Sequence, residues 1–143
     1  MAFSKKSSLE AMLQGLNDTT DATSSYSEQD IQNNIGSAVL AYFGPLVFIP
    51  IFAAKESPYA RFHANQGLVL LLSYIAYNIT QIALRSILYV LLWKYAHGHY
   101  SIFCALLNLV WLGFTALTIL GIIHAARGQA KELPIIGKIH ILR

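Results

Sequence analysis

Cysteine, charge and acidic groups within its apolar stretches are what this sequence has little of. Cys104 is the single cysteine in 143 residues, so an internal disulfide is excluded, as is any metal site built from several thiolates within one chain. Charged residues make up 12% of the chain, about half the share usual in soluble domains. The apolar stretches 35–54, 67–93 and 102–126 contain no Asp or Glu, so no carboxylate is available there for proton relay, metal binding or paired acid–base work. No G-x-S-x-G, H-E-x-x-H, phosphate-loop or C-x-x-C pattern occurs. His97-Gly98-His99 offers two imidazoles with no third His, Cys or carboxylate nearby, too few for a metal site. The expectation is therefore a non-enzymatic protein with no catalytic residues, no cofactor and no resident metal.

What the chain does have is apolar length. Hydrophobic residues are 55% of it and the mean hydropathy is +0.49. Gly67–Trp93 is an almost unbroken apolar run, longer as a helix than the roughly 30 Å hydrocarbon layer requires. A second run covers 35–54, with Gly44-Pro45 and Pro50 expected to bend it, and a third covers 102–126. The fold class read from these is all-α: a polytopic integral membrane helix bundle with three clear spans and short interfacial helices. Dividing Gly67–Trp93 in two would give a four-span alternative. Residues 1–34 read as a polar, disordered leader carrying five of the seven acidic residues, with a short helix over 9–16 as an alternative. Residues 35–143 read as the membrane domain, with 127–143 as an interfacial tail too short to span.

The polar residues within the spans are not scattered. Tyr74, Asn78, Gln81, Arg85 and Tyr89 step by four, three, four and four, which puts them on one helical stripe. Cys104, Asn108, Trp111, Thr115 and Thr118 form a comparable line in the last span. The candidate functional seam is thus Tyr74, Asn78, Gln81, Arg85, Tyr89, Asn108, Thr115 and Thr118, two lines able to satisfy one another across a helix interface. Between the first two spans, Ser57 followed by Pro58 is a strong helix start. Just beyond it, Arg61, Phe62, His63, Asn65 and Gln66 form a candidate interfacial motif at headgroup level.

Net charge is +3 and the isoelectric point about 9.1, but the basic residues are spread along loops and tails and form no nucleic-acid patch. Lys55, Arg61, Arg127, Lys131, Lys138 and Arg143 flank the first loop and the tail. With three spans the positive-inside rule then gives a multi-pass plasma-membrane protein with a cytoplasmic C-terminus and an external N-terminus.

Arg61-Phe62-His63-Ala64-Asn65-Gln66-Gly67 running into Leu68–Leu72, with Gly44-Pro45-Leu46 and Pro50 before it and Leu133-Pro134-Ile135-Ile136-Gly137 after it, carries a resemblance. It looks like small bacterial membrane proteins distantly similar to the Tic inner-envelope translocon small subunit family. That likeness implies a compact helical membrane protein acting as an accessory or channel-like subunit of a complex related to translocation or transport. The alternative is a lipid-headgroup-binding membrane protein or membrane enzyme, using Arg85 or the Arg61–Gln66 segment on phosphate. Expected partners are the lipid bilayer and another membrane protein or a second copy of the chain, without nucleic acid.

Overall fold

The structure is a computed structural model and describes residues 19–93 and 97–142, the side chains of 92, 93 and 97–100 excepted. The short helix expected over 9–16 and the side chains of His97 and His99 lie outside the described residues. Four α-helices follow in order: α1 (Glu28–Leu40), α2 (Phe48–Ala53), α3 (Pro58–Leu88) and α4 (His97–Ala126). A 3-10 turn at Gly44–Val47 leads into α2, and a π-helical stretch, Tyr89–Trp93, extends α3. Among the described residues there is no strand, only an isolated antiparallel bridge between Asp21 and Lys131.

Residues 28–34, at the end of the polar leader, form the first turns of α1. The Ser27 hydroxyl accepts the Asp30 amide at 3.2 Å, and Glu28 and Asp30 place negative charge at the positive end of the helix dipole. The expected span over 35–54 does not form. The helix stops at Leu40, Gly44 takes a left-handed φ of +58°, and Pro45 removes the amide that the next turn would need. What remains is Gly44–Ala53, ten apolar residues that reach about 15 Å, half the hydrocarbon thickness. A stretch expected to bend is instead broken.

Two helices are long and apolar enough to cross a membrane: Pro58–Leu91, of 34 residues, and Ser101–Ala126, of 26. Three clear spans are therefore not supported. The four-span alternative fails too, because α3 runs through Gly67–Leu88 without a break. Ser57 and Pro58 start α3 as their types dictate, with the Ser57 hydroxyl accepting the Ala60 amide at 3.0 Å. At 1.5 Å per residue the 34-residue segment is about 51 Å long, so about two-fifths of it projects beyond the hydrocarbon.

That projecting part is wrapped. α1, the first turns of α3, the end of α4 and the tail after it share one core of Ala38, Ala41, Tyr42, Val47, Tyr59, Leu70, Ala125, Ala130 and Leu133. Gly67 lets α1 meet α3, since a Cβ there would lie 2.0 Å from the Ala41 carbonyl oxygen. Ala22 N–H donates to the Ala130 carbonyl at 2.9 Å and Glu132 N–H to that of Thr20 at 3.1 Å. The chain near residue 20 thus lies beside residue 131. The expectation of termini on opposite sides is not supported: the described segments before α3 and after α4 meet in one head. Outside the head, α3 and α4 turn Ile79, Ile82, Leu109 and Leu112 outward, as lipid-facing side chains should be.

Candidate functional site

The polar residues of the chain collect in two places, the head and the seam between α3 and α4. In the head, residues 63–66 go round a full turn of α3 that α1 and the tail enclose, and His63, Asn65 and Gln66 are all buried. Asn65 and Gln66 spend their polar atoms on backbone, and His63 divides its two nitrogens between backbone and the Tyr42 side chain. His63 Nε2–H donates to the Gln129 carbonyl at 3.1 Å, which leaves Nδ1 to accept the Tyr42 hydroxyl at 2.9 Å. Burial holds the Tyr42 phenol well above its ordinary pKa and hence protonated, consistent with its role as donor. Gln66 donates to the Gly137 carbonyl at 3.1 Å and accepts the Leu133 amide at 3.2 Å. Asn65 donates to the Ile139 carbonyl at 2.8 Å and accepts the amides of Ile141 and Leu142 at 2.6 and 2.9 Å.

Tyr59 completes the head. Its hydroxyl donates to the Ala125 carbonyl at 2.9 Å, satisfying an acceptor in the last turn of α4, and its amide donates to Asp30 Oδ2 at 3.0 Å. Tyr26 meets Tyr59 and Phe62 edge-on or tilted, with ring centroids about 6 Å apart. Of the motif expected at headgroup level, only Arg61 is exposed; Phe62 is half-buried. The rest is a clamp that closes a tail of irregular backbone, whose amides and carbonyls would otherwise be buried without partners. Sequence reasoning missed Tyr42 and Asp30 and read Tyr59 as an interfacial anchor; the partners of these residues lie 21 to 66 positions away. The Asp21 carboxyl, held below its usual range by the Thr23 hydroxyl and amide, steadies the outer strap: Thr23 Oγ1 in turn accepts the Ala130 amide at 2.9 Å.

The seam joins α3 to α4 by a few contacts. Arg85 Nη2 donates to Asn108 Oδ1 at 2.5 Å, Trp111 Nε1 donates to the Tyr74 hydroxyl at 3.3 Å, and the Tyr77 hydroxyl donates to the Leu107 carbonyl. Gln81 donates to the Tyr77 hydroxyl at 3.2 Å. Asn78, Thr115 and Thr118 instead bond carbonyls of their own helices at 2.7, 3.1 and 2.9 Å. Tyr89 begins the π-helical stretch. Of the eight seam residues expected to act together, the structure brings Arg85 and Asn108 into direct contact and joins Tyr74 to α4 through Trp111. Among the described residues, no group of three or more His, Cys, Asp or Glu could hold a metal ion.

Residues 33–140 match the MamF/MmsF family, the magnetosome magnetite crystal formation protein family. The chain belongs to that family. It is 28% identical over 100 residues to magnetosome protein MamF of Paramagnetospirillum magneticum strain AMB-1, covering 70% of this chain and 76% of that relative. No solved structure matches the chain. The MamF/MmsF match runs from within α1, through both long helices, to His140 in the clamped tail, so it takes in the whole seam and most of the head. It replaces the resemblance to the Tic translocon family, and with it goes the only ground for expecting translocation or transport. The coarser expectation stands: this is a helical membrane protein of the magnetosome MamF/MmsF family.

Proposed function

We propose that this chain is a non-enzymatic component of the magnetosome membrane that acts in magnetite crystal formation, anchored by the α3–α4 hairpin and presenting its head at one face of the bilayer. The observation that carries this reading is the continuity of the family match over 33–140, which includes the anchor and most of the head as one unit. The head's use of its polar groups supports a scaffolding role over a catalytic one: His63, Asn65 and Gln66 hold the tail and leave no nucleophile–base pair open to a substrate. The lipid-facing apolar residues of α3 and α4 support residence in the membrane. Deleting the gene in a magnetite-forming host, then complementing it with wild type or with Gln66→Leu, tests the proposal. The expected result is altered crystal size or shape on deletion, restored by wild type, with the protein recovered in the magnetosome fraction. Unchanged crystals on deletion, or recovery of the protein solely in other membranes, would overturn it.

A further inference from the structure

The end of the α3–α4 hairpin remote from the head holds a polar cleft beside the Arg85–Asn108 contact. It has a volume of about 330 Å³ and is lined by Asn78, Gln81, Arg85, Asn108 and Trp111. Its lining holds no carboxylate, and with the Asn78, Gln81 and Trp111 donors engaged by Tyr74 and Tyr77, the donors left to it are those of Arg85 and Asn108. Neither of the two long apolar helices contains an Asp or Glu to pair with the Arg85 guanidinium. Asn108 Oδ1 engages one of its terminal nitrogens, while Arg85 Nε is shielded from solvent and has no hydrogen-bond partner among the described residues. A guanidinium with one neutral partner and an unpaired buried N–H is a site short of an anion.

Depth identifies the class of anion. The head encloses α3 as far as Leu70, which belongs to its buried core, so hydrocarbon begins at about Leu71. Arg85 lies 14 residues further on, about 21 Å along the helix and about 9 Å short of the far edge of a roughly 30 Å layer. A long side chain reaches headgroups from there, and a planar guanidinium matches two phosphate oxygens at once. The geometry points to the Arg85–Asn108 cleft as a binding site for a phosphate group, supplied by an anionic phospholipid of the leaflet remote from the head. This inference does not depend on the role in magnetite formation.

The test uses the full chain in mild detergent, with thermal unfolding and native mass spectrometry as readouts. Short-chain phosphatidylglycerol should raise the unfolding temperature of wild type and stay bound, whereas diacylglycerol of equal chain length should do neither. Arg85→Gln should weaken phosphatidylglycerol binding about tenfold or more. Should Arg85→Gln fail to fold, Asn108→Asp serves instead: it keeps the arginine, supplies the missing carboxylate, and should abolish the lipid effect while the protein stays folded. Inorganic phosphate reproducing the stabilisation, with loss in the same variants, would keep the phosphate site and assign it to the free ion. Equal stabilisation by diacylglycerol, or phosphatidylglycerol binding undiminished in a folded Arg85→Gln or Asn108→Asp protein, would overturn the inference.

Discussion

Replacing Gln66 by Leu tests whether the tail is held by the side chains that α3 directs at it. Leucine is close in volume and suits a helix, so the backbone of α3 has no reason to change. What the change removes is a pair of bonds, to the Gly137 carbonyl at 3.1 Å and from the Leu133 amide at 3.2 Å, and both of those residues are buried. A buried group left unpaired costs about 1–3 kcal/mol, so two cost about 2–6 kcal/mol if the tail stays in place. The tail need not stay, however. By lifting away it returns both groups to water and gives up the burial of Leu133, so the protein opens locally before it unfolds globally. The assay is therefore limited trypsin digestion in detergent, following cleavage after Lys131 and Lys138. A loss of about 2 kcal/mol raises the open population about 30-fold, and cleavage in the fast-closing regime rises with it. Cleavage at the wild-type rate would show that Gln66 does not hold the tail and would refute the clamp.

Other outcomes follow from the same contacts. Gly67→Ala puts a methyl 2.0 Å from the Ala41 carbonyl oxygen, so α1 must move off α3; a loss of about 3 kcal/mol in chemical unfolding is expected, at the upper end for overpacking because backbone must give way. Ser57→Ala removes the acceptor for the Ala60 amide and should cost about 1 kcal/mol in the same assay. The Asp21 carboxyl is depressed by its Thr23 bonds, so its support of the strap is complete above the ordinary aspartate range and is lost as pH falls through the depressed value. The NMR signal of the Ala130 amide, which Thr23 Oγ1 accepts, should shift in that acid window and not in Asp21→Asn.

Much of the architecture was legible because its causes are local. The Ser57-Pro58 start, the continuity of Gly67–Leu88 and the last span all follow from a cap and apolar length. The missing span at 35–54 was not legible from hydropathy, since composition counts apolar residues and Gly44 decides the matter through its left-handed φ. Gly44-Pro45 was visible, yet sequence alone does not separate a bend from a break. His63, Asn65 and Gln66 read as interfacial because they precede the apolar run. Their burial comes from a tail 66 to 77 positions away, which no local period reveals. The same fact accounts for the misleading resemblance: Phe62–Gly67 serves the fold, and a motif that closes a tail marks an architecture and not an activity.

The central claim, a two-span hairpin whose head gathers both flanking segments at one membrane face, is tested most directly by cysteine accessibility in sealed, oriented vesicles. Starting from Cys104→Ser, single cysteines are placed at the exposed positions Gln32, Glu56 and Lys138 and treated with a membrane-impermeant maleimide before and after permeabilisation. The account predicts that all three share one side, and so label together or stay protected together. Labelling of Gln32→Cys from the side opposite to Glu56→Cys would mean that 35–54 crosses the bilayer after all, and would contradict it.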